Sequence, residues 1–204
     1  MAHRAGRKEE SRARILASAG RGFRKQGYGG LGIDALAKEA GVTSGAFYGH
    51  FKSKSAAFRD AVTAGLGELQ RAILDLRATS GARWCRRLVD FYLGERLACD
   101  LSESCALQSL TGDVARADDD VREAYEAEFG KVVAAMADGL QGGSGKARRA
   151  DALALLALLT GGVSLARAVK DQALGKEIAE AVRASALRIT QHRLATPNGA
   201  RKGT

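Results

Sequence analysis

Apolar residues recur every three or four positions along most of the chain, and no stretch alternates between apolar and polar residues as a half-buried strand does. With 46% apolar residues and one proline among 204, the composition is that of a folded protein rather than a disordered one. The length allows one large or two small domains with a buried core. We therefore predict an all-α fold of about nine helices.

The first long helix and the fourth have clear boundary signals. The first is predicted at 8–26, because Gly27 stands where a residue of left-handed conformation ends a helix. Ser53 is the expected cap of the long fourth helix, whose apolar positions run from Phe58 to Leu76. Five later helices are predicted at 82–97, 104–116, 119–140, 147–170 and 174–193.

Two short helices lie between these boundaries. The segment "IDALAKEA" (33–40) predicts one that buries Ile33, Leu36, Ala37 and Ala40, and a second of two turns is predicted at 44–51. Joined by "AGVT", they have the proportions of a helix-turn-helix. In the second helix Ala46, Phe47 and Phe51 are expected to face inward. The residues expected to face outward are Thr43, Ser44, Gly45, Tyr48 and Gly49.

Charge is concentrated at the N-terminal end. Residues 1–60 contain 12 Lys/Arg against 5 Asp/Glu, whereas residues 61–204 contain 20 against 18. Lys52 and Lys54 flank Ser53 at the start of a helix, where the macrodipole already makes a cation unfavourable. Their placement is explained if an anion, such as a nucleic-acid phosphate, binds at that helix end. The other interpretation is a solvated basic face.

Residues 12–58 resemble the DNA-binding domain of the TetR/AcrR family of bacterial transcriptional repressors. The matching residues are Ile15, Leu16, Phe23, Gly27, Tyr28, Ile33, Leu36, Ala37, Gly41, Val42, Phe47, Tyr48, His50, Phe51, Ser53, Lys54 and Phe58. The resemblance implies that Tyr48, His50 and Lys54 contact the DNA backbone and that the helix around 43–49 enters the major groove. The full set of expected DNA contacts is Gly32, Ile33, Thr43, Ser44, Gly45, Ala46, Tyr48, Gly49, His50, Lys52 and Lys54.

Three positions depart from the family pattern. Gly32 stands where relatives usually cap the second helix with Ser or Thr, and Gly49 where many carry a large side chain. Ser55 replaces the usual Glu. We therefore expect fewer base contacts, with more recognition left to Thr43, Ser44 and DNA shape.

The resemblance also implies a two-part organisation. We expect a DNA-binding domain at 1–52, a ligand-binding and dimerisation domain at 53–195, and a disordered tail at 196–204. The last two helices are rich in Ala, Gly and Leu, which permits close helix packing. We predict that they form a homodimer interface, the alternative being that they only complete each subunit's own core. No membrane partner is expected, because the apolar run 152–169 contains Thr160, Ser164 and Arg167.

A small-molecule inducer is expected in the second domain. The candidate ligand contacts, each of which could instead be a core residue, are Leu69, Ile73, Trp84, Phe91, Tyr92, Cys105, Tyr125 and Phe129. Segment 103–125 resembles a stretch found in a subset of these repressors. At a predicted helix start, the dipole would favour the thiolate of Cys105, which suggests a sensor of electrophiles or oxidants with Cys99 as its resolving partner.

The function favoured by these observations is a ligand-responsive, homodimeric repressor of transcription. Three cysteines without zinc spacing and a start without an apolar segment predict a cytoplasmic protein. We expect no metal or other cofactor. His3, His50 and His192 lie far apart without catalytic neighbours, so we expect no enzyme. Two alternatives are a thiol-based sensing repressor of the same fold and a non-specific architectural DNA-binding protein.

Overall fold

The computed structural model describes residues 2–192, with side chains described for residue 6 and for 8–190. Within this range the chain forms ten α-helices and two short 3-10 turns, and no strand. This confirms the predicted all-α class. The tail predicted at 196–204 lies outside the described residues.

The helices follow one another with short connections. In chain order they are α1 (Ala2–Gly30), α2 (Ile33–Glu39), α3 (Ser44–Tyr48), α4 (Lys54–Ser80), α5 (Trp84–Leu93), α6 (Glu95–Ala98), α7 (Ala106–Val114), α8 (Asp119–Gly139), α9 (Gly145–Ala168) and α10 (Gln172–His192). The 3-10 turns are Gly81–Arg83 and Leu101–Glu103.

Helix ends agree with the sequence signals in some places and not in others. Gly27 has a φ of +73° and interrupts α1, which confirms it as the end of the first regular helix, but α1 begins at Ala2 rather than at residue 8. Helix α3 is shorter than predicted and ends at Tyr48. The helix predicted at 82–97 is broken at Gly94, whose φ of −112° and ψ of −93° are not helical.

The described residues pack as two compact units. The first contains residues 2–68 and 99–128, and the second contains 69–98 and 129–192. Helices α4 and α8 therefore each contribute to both units. This grouping follows packing, so the predicted division by role at 52/53 stays a prediction.

An aromatic cluster forms much of the core of the first unit. Phe23 and Phe58 meet edge to face at 5.1 Å between ring centroids, and Tyr28 lies 4.9 Å from Phe58. Phe47 and Phe51 form a second pair at 5.4 Å. Phe23, Tyr28 and Phe58 join α1 to α4, whereas Phe47 and Phe51 pack α3 against the segment that follows it. Such aromatic contacts add to the burial of apolar area.

The second unit is built around α5, α9 and α10. The indole N–H of Trp84 donates to the Gly139 carbonyl at 3.1 Å, and an ion pair joins Asp90 on α5 to Arg183 on α10. A Cβ atom added at Gly162 of α9 would lie 2.7 Å from the Val182 side chain, so this glycine allows α9 and α10 to approach closely.

Helix α9 is long and apolar enough to cross a membrane by length and composition alone. A core helix of a helical bundle meets the same criteria. Six of its residues are buried within the unit, namely Ala152, Leu155, Leu156, Leu159, Gly162 and Val163. Other apolar side chains of α9, among them Leu153 and Leu165, are exposed.

Candidate nucleic-acid interface

The turn between α2 and α3 is set by hydrogen bonds around a glycine. The backbone N–H of Val42 donates to the Ala37 carbonyl at 2.9 Å, and that of Gly41 donates to the Lys38 carbonyl at 3.0 Å. Gly41 has a φ of +67°. This is the Schellman arrangement, in which a left-handed glycine lets two backbone N–H groups satisfy the last carbonyls of a helix. The turn therefore ends α2 sharply and redirects the chain into α3.

Two hydroxyl groups at the start of α3 are used within the protein. The Thr43 hydroxyl accepts a hydrogen bond from the Ala46 N–H at 3.2 Å and caps the helix. The Ser44 hydroxyl donates to the Asp34 carboxylate on α2 at 2.5 Å. These contacts lock α3 onto α2, and Asp34 is a residue that the sequence analysis did not single out. Thr43 remains exposed, whereas Ser44 is half-buried.

The outer side of α3 and its C-terminal end carries small side chains and one large ring. Gly45, Ala46 and Gly49 are exposed, and Tyr48 is 55% exposed, while Phe47 is fully buried. The expectation that Ala46 faces inward is wrong. Phe47 and Phe51, which lie four residues apart, fill the inner side, so Ala46 is left on the surface beside Gly45.

The start of α2 has no side-chain cap. Gly32 is the N-cap residue, is exposed, and offers no side-chain hydrogen bond to the helix. A Cβ atom added there would meet nothing within 4 Å. Ile33 and Ala40, predicted to be buried, are only half-buried, because Leu36 and Ala37 alone fill the inner side of this seven-residue helix.

The start of α4 places cations at a capped helix end. The Ser53 hydroxyl accepts from the Ala56 N–H at 3.0 Å, which confirms it as the cap. Lys52 is exposed, and the Lys54 ammonium lies over the Tyr28 ring, 4.4 Å from its centroid. His50 is half-buried, and its Nδ1 has no hydrogen-bond partner among the described residues.

Several other basic groups of this unit are paired with carboxylates. Arg12 pairs with Asp60 at 2.5 Å, and Arg59 pairs with Asp120 at 2.8 Å. No described carboxylate lies within ion-pair distance of Lys52 or Lys54 in residues 2–192, and the first turn of α4 contains no acid. One carboxylate from elsewhere in the chain does reach this helix end, because Asp118 accepts a hydrogen bond from the Ser55 hydroxyl at 3.4 Å.

The predicted inducer contacts fall in both units. Leu69, Ile73, Trp84 and Tyr92 are buried in the second unit, where Phe91 and Phe129 are half-buried. Cys105 and Tyr125 are half-buried in the first unit. The Tyr125 hydroxyl lies 3.0 Å from that of Thr111, and burial raises the pKa of the Tyr125 phenol.

A cavity of about 390 Å³ lies in the second unit. Its lining residues are Ala72, Leu76, Arg87, Asp90, Phe91 and Glu95. Of the predicted inducer contacts, Phe91 lines it. The Arg96 guanidinium lies over the same ring at 4.9 Å. Its lining combines three apolar side chains with three charged ones, a mixture that suits a small molecule with both apolar and polar groups.

Comparison with known proteins agrees with this geometry. Residues 15–61 match the family model described as "Bacterial regulatory proteins, tetR family". The chain is similar to the solved structure of a TetR-family regulator from Streptomyces coelicolor, at 19% identity and a TM-score of 0.73, over 91% of this chain and 96% of that one. A TetR-family regulator from Agrobacterium tumefaciens gives 18% identity and a TM-score of 0.72, over 87% and 98%.

A third similar structure is that of E. coli NemR in its reduced form. It shares 20% identity with the chain at a TM-score of 0.71, over 87% of this chain and 95% of that one. Among curated protein sequences, none is a match. The solved structures extend the agreement in fold beyond the N-terminal segment to most of the described helices.

Proposed function

We propose that the chain, a member of the TetR family of bacterial regulatory proteins by its match over residues 15–61, is a cytoplasmic, homodimeric repressor of transcription rather than an enzyme. It binds a palindromic operator in double-stranded DNA and releases it when a small-molecule inducer binds. The observation that supports this most is the exposed outer side of α3, adjoining an α4 helix start whose lysines have no carboxylate partner.

The composition of the outer side of α3 suits a major groove. Gly45, Ala46 and Gly49 let the helix backbone approach base edges closely, and the Ala46 methyl can contact a thymine methyl. The Ser44 hydroxyl donates to Asp34, whereas the Thr43 hydroxyl only accepts within the protein, so Thr43 and Tyr48 are the groups whose hydroxyl protons can be donated outward. Few base contacts imply that sequence-dependent DNA shape contributes to recognition.

Phosphate binding is assigned to the residues between α3 and α4. A cation near a helix N-terminus costs roughly 0.3–1 kcal/mol when exposed, and an anion removes this cost. Lys52, Lys54 and the backbone N–H groups at the start of α4 can bind one phosphate, with Tyr48 and His50 contributing on the same strand. These contacts would set affinity and its salt dependence more than specificity.

Dimerisation is assigned to α9 and α10. Leu153 and Leu165 on α9 are 39% and 61% exposed, and Leu174 on α10 is 43% exposed. Between the first two, Ala157 is exposed, and a Cβ atom added at Gly161 would meet nothing within 4 Å. A second copy packed on this apolar surface would bury it, in the twofold manner that matches a palindromic site.

Induction is assigned to the cavity beside Phe91. A ligand that binds there more tightly in a conformation unfit for DNA would lower operator affinity by the same coupling factor. Through Asp90, which lines the cavity and pairs with Arg183, the site connects to α10. This link gives a ligand a direct route to one of the two proposed dimerisation helices.

A thiol-sensing repressor is the second candidate. Burial raises the pKa of the Cys85 thiol to about 12, so this group stays protonated and unreactive at neutral pH. Cys99 and Cys105 are half-buried and flank the 3-10 turn of the first unit. The reduced form named for E. coli NemR lends weak support. If mild oxidation abolishes DNA binding by the wild type but not by the Cys105→Ser variant, this candidate is favoured over the first.

Selection of bound DNA from a random pool tests the main proposal. We expect an inverted repeat whose half-sites lie about 34–36 Å apart. In competition with random DNA, the protein should prefer this site by roughly a thousandfold or more. Binding without such a preference would instead identify a non-specific architectural protein, and a single half-site would contradict the dimer.

A further inference from the structure

A carboxylate from outside the helix-turn-helix holds the backbone next to Gly27. The N–H of Tyr28 donates to Oδ2 of Asp113 on α7 at 2.9 Å, across 85 residues of sequence. The other carboxylate oxygen, Oδ1, pairs with Arg116 at 3.0 Å. A Cβ atom at Gly27 would lie 3.3 Å from the same Oδ2, so the glycine makes this close approach possible.

The Tyr28 side chain contacts Lys54, one of the lysines assigned to DNA binding in the proposed function. The Tyr28 ring packs against Phe58 at 4.9 Å and stacks on Phe23 at 6.1 Å. Its other contact is the Lys54 ammonium, 4.4 Å from the ring centroid. A cation over an aromatic face is attracted by the ring quadrupole. The ring that contacts the Lys54 ammonium thus belongs to the residue whose backbone N–H is bonded to Asp113.

We propose that Asp113 is a positioning residue for operator binding, which acts through Tyr28 to hold the Lys54 ammonium ready for a DNA phosphate. This inference rests on the proposed function. Its physical basis is pre-organisation: a long side chain that is already ordered loses less conformational entropy when it binds. The proposal also makes α7, which is not part of the helix-turn-helix, a determinant of DNA affinity.

A double-mutant cycle tests the proposal. Lys54→Ala should reduce the slope of log affinity against log salt by about one. Asp113→Ala should weaken operator binding by about two- to fivefold, the size expected for one exposed cation–aromatic contact. If Asp113 acts through Lys54, Asp113→Ala should have no further effect in the Lys54→Ala background.

The chain offers a matched control. Arg116→Gln removes the ion pair of Asp113 but keeps its hydrogen bond to Tyr28, so operator affinity should remain within twofold of the wild type. A merely structural role for Asp113 gives a different pattern. In that case the affinity loss of Asp113→Ala persists in the Lys54→Ala background.

A second pair of variants covers the case in which Asp113→Ala does not fold. Tyr28→Phe keeps the ring and should bind like the wild type, whereas Tyr28→Leu removes it and should lose the same few-fold affinity only when Lys54 is present. Additive effects of Tyr28→Leu and Lys54→Ala would overturn the proposal. A wild-type protein without salt-dependent operator binding would instead refute the proposed function itself.

Discussion

Helices α3 and α9 both present small residues beside large exposed side chains. On α3 the small residues are Gly45 and Ala46 and the large side chain is Tyr48, 55% exposed. On α9 they are Ala157 and Gly161, beside Leu165, 61% exposed. In both helices the missing side-chain volume allows another molecule to come close to the backbone.

Charge distinguishes the two surfaces. Residues 153–165 contain no ionisable side chain, and this stretch of α9 is about 18 Å long at 1.5 Å per residue. Helix α3 spans only five residues and is followed at once by Lys52 and Lys54. Small residues therefore permit close approach without choosing the partner. The neighbouring charges make α3 suitable for a polyanion, whereas their absence makes α9 suitable for a second apolar surface.

The strongest test of this contrast puts a charge on the α9 surface. Leu165→Glu should dissociate the dimer, because a carboxylate buried in an apolar interface without a partner is strongly unfavourable. Operator affinity should then fall by about a hundredfold or more, since the two half-sites are no longer bound together. Sedimentation velocity and fluorescence titration with operator DNA measure the two effects.

Leu74→Glu is the matched control for this variant. Leu74 lies on α4 and is 43% exposed, so the same change is made on an apolar surface residue outside the α9 stripe. It should leave both dimer and affinity unchanged. A Leu165→Glu protein that still sediments as a dimer would remove α9 from the interface.

The reciprocal test removes the prominent side chain from α3. Tyr48→Ala should weaken operator binding by about tenfold, the value of one hydrogen bond to a charged phosphate, and should leave the dimer intact. Tyr48→Phe removes only the hydroxyl and keeps the ring, so it should show most of the loss in operator affinity. Equal affinities of all three proteins would exclude Tyr48 from the interface.

The smallest expected effect comes from adding a polar side chain at the start of α2, the first helix of the helix-turn-helix. Gly32→Ser supplies the missing cap of α2, and the φ of −80° and the open space at this position accept a side chain. The free energy of unfolding should rise by a few tenths of a kcal/mol, the usual gain of serine over glycine at an N-cap. Chemical denaturation measures this, and a decrease would contradict the assignment of Gly32 as cap.

Local chemistry explains what could be predicted from the sequence. Gly27 ends a helix because of its own backbone conformation. Ser53 caps a helix through a hydrogen bond to Ala56, three residues further along the chain. The helix-turn-helix could be recognised from the spacing of three apolar residues, Leu36, Phe47 and Phe51, within one short segment. Such features are encoded within a few residues, so the fold class and these helix ends could be predicted, whereas the DNA contacts expected at the candidate interface stay predictions.

Contacts between distant residues explain what could not. The sequence places Asp113 on a helix but contains no signal that its carboxylate meets the Tyr28 N–H. The pairing of Ser44 with Asp34 joins two helices, and it depends on how α2 and α3 cross rather than on either sequence alone. The inward position predicted for Ala46 is wrong for a similar reason, because Phe47 on the five-residue helix α3 and Phe51 beyond its end fill the inner side.

Adjacent glycines on α9 lie on different sides of the helix. A Cβ atom at Gly162 would collide with Val182 of the same chain, while one at Gly161 would project into open space. A larger residue at position 162 should therefore disturb the interior of the unit itself, whereas one at position 161 should alter only the shape that α9 offers to another molecule.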